Sequence, residues 1–374
     1  MKKLFYLILL SFAIISCEKE EDPVNGGEEE YKVNWGAAAD SSATRLLGSF
    51  WNGGEKYFNY DSNGKNDFHY WPQAHALDAV IDAYLRTGDN TYKNYMNQWF
   101  EGVKVKNGNT FDNHYYDDME WIALALLRAY DATKDDKFKD AALQVWGYIK
   151  TGWSEQAGGG IVWNKERKTK NACSNGPACI LAARLYQRFG NEEDKEWALK
   201  IYNWEKSVLF NANTGAVYDN IDIESGEIKR DWIFTYNQGT FIGSAVELHN
   251  ILGERSYLND AVRAANYTIG SLVNNSILKS EGTGDGGLFK GIFIRYFTDL
   301  IQQERLDTGD KRRYIQFMKY NAETLWLQGT AKPVVLFGPD WRNKPASVTG
   351  LTEQLSGSML IEAMALLEKG KYLQ

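Results

Sequence analysis

The sequence is expected to fold as an all-α protein, an (α/α)6 barrel of six helical hairpins, and three observations lead there. A helical apolar pattern broken by a short turn recurs five times. The segments between those units are long and rich in Gly and aromatics. One unpaired helical pattern remains at each end of the chain.

The N-terminal pattern runs around Trp35 to Phe50. The first repeat runs through His75-Ala76-Leu77-Asp78-Ala79-Val80-Ile81, stops at Thr87-Gly88-Asp89 and restarts at Tyr92. The second breaks over Ala129 to Asp135 and restarts at Phe138. The third breaks over Tyr186 to Asn191, restarting near Trp197, and the fourth over Leu248 to Glu254, restarting at Tyr257. The fifth ends in Thr308-Gly309-Asp310 and restarts at Tyr314. The last pattern covers Glu353 to Glu368. In each repeat a Gly or polar residue closes one helix and an acidic or polar residue opens the next, which describes an αα-hairpin. The first helix of each hairpin is apolar nearly all round, as an inner helix should be, and the second carries more Lys, Asp and Glu. Five hairpins and a pair of terminal helices give six pairs, and joining the two ends would close a ring; an open solenoid of the same units is the structural rival. The long connections 51–69, 105–117, 152–175, 210–236, 274–290 and 328–352 then share one end of the barrel, where a site is expected.

Composition narrows the function classes. Of 374 residues 44% are apolar and 24% charged, ample for a packed core. The net charge is −7 with no concentrated basic face, so nucleic acid is not an expected partner. The 13 Trp, 22 Tyr and 17 Phe can fill a core, but they can also line a groove with flat amphipathic faces, a first pointer to carbohydrate. The four His show no metal-ligand spacing with one another or with the cysteines, so no metal and no cofactor is expected.

Met1-Lys2-Lys3 and the apolar run Leu4 to Ile15 read as a secretory leader, too short for a confident span. Ile14-Ile15-Ser16-Cys17 resembles a bacterial lipobox, with Cys17 as the lipidated residue; an ordinary signal peptide is the alternative. The acidic stretch after Cys17 resembles the surface-export signal of Bacteroidetes lipoproteins. The expected organisation is a leader over 1–16, a flexible tether over 17–32 and the barrel over 33–374. This makes a lipid-anchored, surface-exposed outer-membrane protein, with nothing requiring more than a monomer. Cys173 and Cys179 are expected to be buried thiols.

On the long-loop face one segment stands out, Phe111-Asp112-Asn113-His114-Tyr115-Tyr116-Asp117-Asp118-Met119-Glu120-Trp121. Asp117 and Glu120 fit a capping arrangement, as N-cap and third helical residue. The same residues fit chemistry. A helix N-terminus favours ionised carboxylates, yet two neighbouring carboxylates resist ionising together. One proton shared by the pair is the state a retaining glycosidase needs, one Asp attacking as carboxylate and the other protonating the leaving oxygen. Consecutive Cα atoms lie about 3.8 Å apart, so adjacent Asp carboxyls readily reach the roughly 5–5.5 Å of a retaining pair. Asp135-Asp136, in a turn, reads as solvated.

Tyr116-Asp117-Asp118-Met119-Glu120-Trp121 resembles the paired-aspartate motif of glycoside hydrolase family 76, the endo-α-1,6-mannanases. Further blocks resemble that family in the same order: Tyr70-Trp71-Pro72-Gln73-Ala74-His75, Gly159-Gly160-Ile161-Val162-Trp163, and Lys170-Asn171-Ala172-Cys173-Ser174-Asn175-Gly176-Pro177. They continue with Val217-Tyr218-Asp219, Tyr236-Asn237-Gln238-Gly239 and Gly287-Leu288-Phe289-Lys290-Gly291-Ile292-Phe293. The resemblance runs from about residue 35 to the end. It implies an (α/α)6 fold and a retaining, endo-acting cleavage of α-1,6-linked mannan, with Asp117 as nucleophile and Asp118 as acid/base.

The other blocks read as substrate contacts. Trp71, Trp163 and Tyr236 are candidate stacking platforms, and Tyr115, Tyr116 and Trp121 frame the acid pair. Asp219 suits sugar hydroxyls, or else holds a turn. Gln73, Asn171, Asn175, Asn237 and Gln238 sit at inner-helix starts, where caps and sugar ligands look alike. Asp285 lies in a Gly-rich loop that lacks the pattern of a calcium loop, and Lys290 is placed at the rim. His75 reads as a core histidine. The competing readings are a mannan-directed transglycosidase, a non-catalytic glycan-binding lipoprotein, and another (α/α)6 enzyme such as an unsaturated-uronide hydrolase or a sugar epimerase. The intact acid pair speaks against the binder. An anionic substrate would favour basic residues in the groove.

Overall fold

Six helices line the inside of a ring and six more wrap it, and the computed structural model describes them over residues 32–373. The inner helices are α2 (Tyr70–Thr87), α4 (Tyr116–Thr133), α6 (Gly176–Phe189), α8 (Thr235–Leu252), α10 (Asp285–Ile301) and α12 (Leu351–Lys369). The outer ones are α1 (Trp35–Phe50), α3 (Asn90–Lys106), α5 (Asp136–Lys150), α7 (Glu192–Val208), α9 (Arg255–Ser271) and α11 (Thr308–Thr324). Each inner helix packs on the next, and α12 packs on both α1 and α2, so the ring closes and the solenoid is excluded. Closure rests on apolar surface: Leu355, Leu360, Ile361, Met364 and Leu367 of α12 are almost fully buried, each contributing about 1.5–3 kcal/mol. The segments 1–16 and Cys17 to Glu30, with the lipid-anchor expectation, lie outside the described residues.

The short turns form as the sequence suggests. Gly88 closes α2 in the left-handed region at φ 72°, and Asp89 caps α3 by accepting from the Thr91 amide at 2.8 Å. Asp135 and Asn191 cap α5 and α7 in the same way. The fifth turn differs from expectation. Helix α10 already ends at Ile301, and Thr308-Gly309-Asp310 is the first turn of α11, because the Asp307 carboxylate accepts from the Gly309 and Asp310 amides.

The long connections carry four two-stranded ladders absent from the sequence reading. These are β1 (Trp51–Asn52) with β2 (Tyr57–Phe58), β3 (Thr169–Asn171) with β4 (Asn220–Asp222), β5 (Val273–Asn274) with β6 (Ile277–Leu278), and β7 (Thr330–Ala331) with β8 (Leu336–Phe337). Two residues cannot hold a hairpin in water. Amide side chains at the starts of inner helices add bonds to two of these hairpins and to the bridged residues Ile161 and Val217. Gln73 donates to the Phe58 carbonyl and accepts from its N–H, both at 2.9 Å. Asn175 does the same to Ile161, at 3.0 and 2.8 Å, and Gln238 to Val217, at 2.8 and 3.1 Å. Gln354 grips Phe337 N–H and the Val335 carbonyl, both at 3.2 Å. Each amide acts as a surrogate strand, and the repeat thereby fixes its loops. Gly239, next to Gln238, is a packing residue: a Cβ there would fall 2.6 Å from Phe293 Cα.

At the opposite, short-turn end the inner helices contribute a ring of ion pairs. Arg128 bridges Asp78 and Asp82, Arg295 reaches Asp82 at 2.9 Å, Arg184 joins Glu247 and Asp299, and Arg86 holds Glu362. The four arginines, with Asp82, Asp299 and Glu362, wall a small cavity of about 200 Å³.

Candidate active site

The long-loop end opens into a cavity of about 830 Å³, and Asp117 and Asp118 both line it. Their position follows from local structure. Helix α4 starts at Tyr116, with Tyr115 as N-cap residue and no side-chain cap, so the two aspartates occupy its first turn. The capping arrangement expected of Asp117 and Glu120 is therefore not formed: Glu120 is fully buried and neither of its oxygens has a hydrogen-bond partner. Burial pushes its carboxyl well up, so it is a neutral acid under the site.

Asp117 is held from one side. Trp163 Nε1–H donates to Oδ2 at 3.2 Å, and the Cys173 thiol donates to the same oxygen at 3.3 Å. Trp163 reaches it because the loop is laced to the helix start: Tyr116 N–H donates to the Trp163 carbonyl at 2.9 Å and Lys165 N–H to the His114 carbonyl at 3.0 Å. Burial raises the Asp117 carboxyl to about 7, against the pull of the Cys173 and Trp163 bonds. Burial, and then the charges of Asp117 and Asp285, push the Asp118 carboxyl up as well. The two carboxyls thus differ in their partners: Asp117 accepts two side-chain bonds, and among the described residues none reaches Asp118.

Around the pair the structure gathers Trp71, Trp163, Asn171, Asp219, Tyr236 and Asp285 on the cavity wall. Asp219 is buried and oriented by amides: Asn237 Nδ2 donates to Oδ1 at 2.9 Å and Asn220 Nδ2 to Oδ2 at 2.8 Å, with Tyr236 OH and Asn171 Nδ2 at 3.5 Å. The β3–β4 register, Asn171 opposite Asn220, brings these groups together. Tyr236 stacks face to face on Phe289, centroids 3.9 Å apart. Asp285 Oδ1 accepts from Trp71 Nε1 at 2.8 Å and lies 3.3 Å from His69 Nε2.

Other expected contacts stand elsewhere. Gln73, Asn175 and Gln238 are fully buried and spend their amides on loop backbone, as described. Asn237 is buried behind Asp219 and reaches the cavity only through it. Tyr116 is buried with its ring against Gly152 and its hydroxyl 3.3 Å from Thr151 Oγ1. Lys290 is not at the rim: its ammonium is bonded to the Pro339 carbonyl at 2.6 Å over the Trp341 ring, and burial lowers it to about 7. His75 is a core residue packed between Trp71 and Trp121, and burial lowers it to about 3, so it is neutral. Cys173 and Cys179 are buried free thiols.

The cavity also contains residues the sequence did not single out for it: Trp232, His69, Asn220, Cys173 and Phe289. Trp232 is 49% exposed, a bare indole face on the wall. It sits in the charged stretch Lys229-Arg230-Asp231, where no periodicity marks it. Asn220 could have been found from its place beside Asp219.

A closed helical barrel with two vicinal acids in an aromatic cleft is the arrangement of a glycosidase. The sequence pattern of glycosyl hydrolase family 76 matches residues 34–373, and the chain belongs to that family. Among solved structures it is similar to the GH76A alpha-1,6-mannanase from Salegentibacter sp., at 45% identity and TM-score 0.87 over 89% of this chain and 100% of that one. An inactive variant of the same mannanase, with two consecutive aspartates changed to asparagine, is in complex with alpha-1,6-mannotriose and is equally similar. The Lin0763 protein from Listeria innocua is 34% identical over 90% of this chain and 99% of that one, TM-score 0.84. The mannan endo-1,6-alpha-mannosidase DCW1 of Candida glabrata is 28% identical over 67% of this chain. The chain spans 64% of that protein's length and 36% of the corresponding protein's from Saccharomyces cerevisiae.

Proposed function

We propose that the protein is a retaining, endo-acting hydrolase of α-1,6-mannosidic bonds in mannan backbones. The observation that carries the reading is a pair of vicinal acids lining the cleft in different settings: Asp117 accepts from Trp163 and Cys173, while no side-chain donor holds Asp118 among the described residues. In the first step the Asp117 carboxylate attacks the anomeric carbon. Asp118 gives its proton to the departing glycosidic oxygen. In the second, Asp118, now a carboxylate, takes a proton from water, which attacks the same carbon and frees Asp117. The Trp163 and Cys173 donors hold Oδ2 throughout and stabilise the carboxylate as leaving group.

The open cleft suits a chain that runs through it, and Trp232, Trp163 and Trp71 offer faces for sugar rings. The mannanase relatives support α-1,6-linked mannose as the substrate class, and the inactivity of the doubly substituted Salegentibacter variant supports a catalytic role for consecutive aspartates. Linear α-1,6-mannan should give oligosaccharides of several lengths, and branched yeast mannan fewer. Release of mannose alone, or transfer to added oligosaccharide without net hydrolysis, contradicts the proposal. The lipid anchor on Cys17, surface display and monomeric action belong to the same proposal; Cys17→Ala should release the protein from the membrane fraction.

A further inference from the structure

Lys170 is fully buried, and its ammonium forms no ion pair among the described residues. It donates instead to three backbone carbonyls of the 152–175 loop: Ser154 at 2.7 Å, Gln156 and Gly159. Three acceptors match the three protons of a charged ammonium, one more than a neutral amine carries. The acid on that loop, Glu155, is engaged elsewhere, accepting from Trp153 Nε1 at 2.6 Å and pairing with Lys200 at 3.5 Å.

The cage follows from the backbone. Ala157, Gly158, Gly159 and Gly160 stand in succession at φ 51°, 80°, 115° and 94°, so the chain coils on itself and turns carbonyls inward. Buried carbonyls need donors. Trp204 Nε1–H supplies one to Ala157 at 3.0 Å, and Lys170 supplies the others.

Lys170 stands between the two donors to the Asp117 carboxylate. On one side, Trp163 N–H donates to the carbonyl of Thr169, its chain neighbour, at 2.9 Å. The caged turn runs directly into Trp163: Ser154 N–H donates to the Gly160 carbonyl at 3.1 Å, and Val162 N–H to that of Gly152 at 3.0 Å. On the other side, β3 leads from Lys170 through Asn171 to Cys173 on the cavity wall. The Trp163 indole and the Cys173 thiol meet at Asp117 Oδ2.

We propose that Lys170 is a positioning residue: its ammonium acts as a built-in monovalent cation that gathers the loop carbonyls and so sets the Trp163 indole against Asp117. The charge is the working part, and the stem only delivers it. The inference rests on the reading of Asp117 as nucleophile, and the first arm of its test uses no substrate.

The test removes the ammonium and supplies it again. Lys170→Ala lacks everything beyond Cβ, a fragment that 1-propylammonium matches. The 1H–15N indole resonance of Trp163 is identified by its loss in Trp163→Phe, and Asp117→Asn should shift it when Lys170 is present. In Lys170→Ala that response should vanish, 1-propylammonium should restore it, and neutral 1-propanol should not. Lys170→Met fills the stem without the charge and should also lose the response, which decides the matter if Lys170→Ala fails to fold. An intact response in folded Lys170→Met overturns the inference, even if its denaturation midpoint falls. Restoration by 1-propanol, or none by 1-propylammonium in folded Lys170→Ala, also contradicts it. On linear α-1,6-mannan, Lys170→Met should lower kcat by up to about 100-fold with KM within about twofold. A raised KM with unchanged kcat contradicts the inference. Absence of mannan cleavage by the wild type would refute the substrate and leave the resonance test to decide the role of Lys170.

Discussion

The Trp163 indole donates to Asp117 Oδ2 across 46 residues of sequence, at 3.2 Å. That bond joins the 152–175 loop to the first turn of α4, and the Cys173 thiol reaches the same oxygen from the end of the same loop. The Asp117 carboxylate is therefore held by a loop.

Proton affinity makes activity depend on pH in a stated direction. The proposed mechanism needs Asp117 ionised and Asp118 protonated, so kcat/KM should fall as pH drops through about 7 and fall again in alkali. Asp117→Asn should abolish turnover on every substrate. Asp118→Asn should lose mannan cleavage yet retain measurable first-step release from an aryl α-mannoside oligomer whose leaving group needs no proton. Equal loss of both activities would count against the assignment.

The raised Asp117 carboxyl also costs stability. Its folded value lies above the unfolded 3.8, so the cost is absent below about pH 4, grows between about pH 4 and 7, and is full above that. Asp117→Asn should be more stable than wild type at pH 8, by roughly 2–4 kcal/mol at most. The two should converge near pH 4. A constant difference across that range would mean the carboxyl is not perturbed by the fold.

Gln73 separates a loop staple from a sugar ligand. Gln73→Leu leaves the Phe58 N–H and carbonyl unbonded in a buried place, which should cost about 2–4 kcal/mol. KM for mannan should stay within twofold at temperatures where the variant is folded. A large rise in KM with unchanged stability would restore Gln73 to the substrate.

At the far end, Arg128 lies between Asp78 and Asp82 with most of its side chain buried. Arg128→Ala strands two buried carboxylates near Arg295 alone and should cost about 3–5 kcal/mol. Chemical denaturation reads this. Activity of the folded fraction should persist, because the ring lies at the end opposite the cleft.

Much of the barrel was legible because its signals are local. Gly88 and Asp89, Asp135 and Asn191 mark turns by their own backbone chemistry, and the apolar runs of α2 and α8 mark inner helices. The fifth turn misled because Gly309 looks like a stop, whereas Asp307 turns it into a start. At the site, vicinal acids are visible in sequence, but the partners of an amide are not. Gln73, Asn175 and Gln238 satisfy backbone, while Asn171 and Asn220 meet at the cavity only through a strand register formed by two distant loops. Trp232 and His69 become visible only when the loops that carry them are folded together.

The stereochemistry of the first-formed product is the most direct measurement of the double displacement at Asp117 and Asp118. Proton NMR of the reducing-end anomer, recorded in the first minutes of α-1,6-mannan cleavage before mutarotation, should show the α-anomer ahead of the β. Initial appearance of the β-anomer would mean a single inverting displacement and would contradict the covalent role of Asp117.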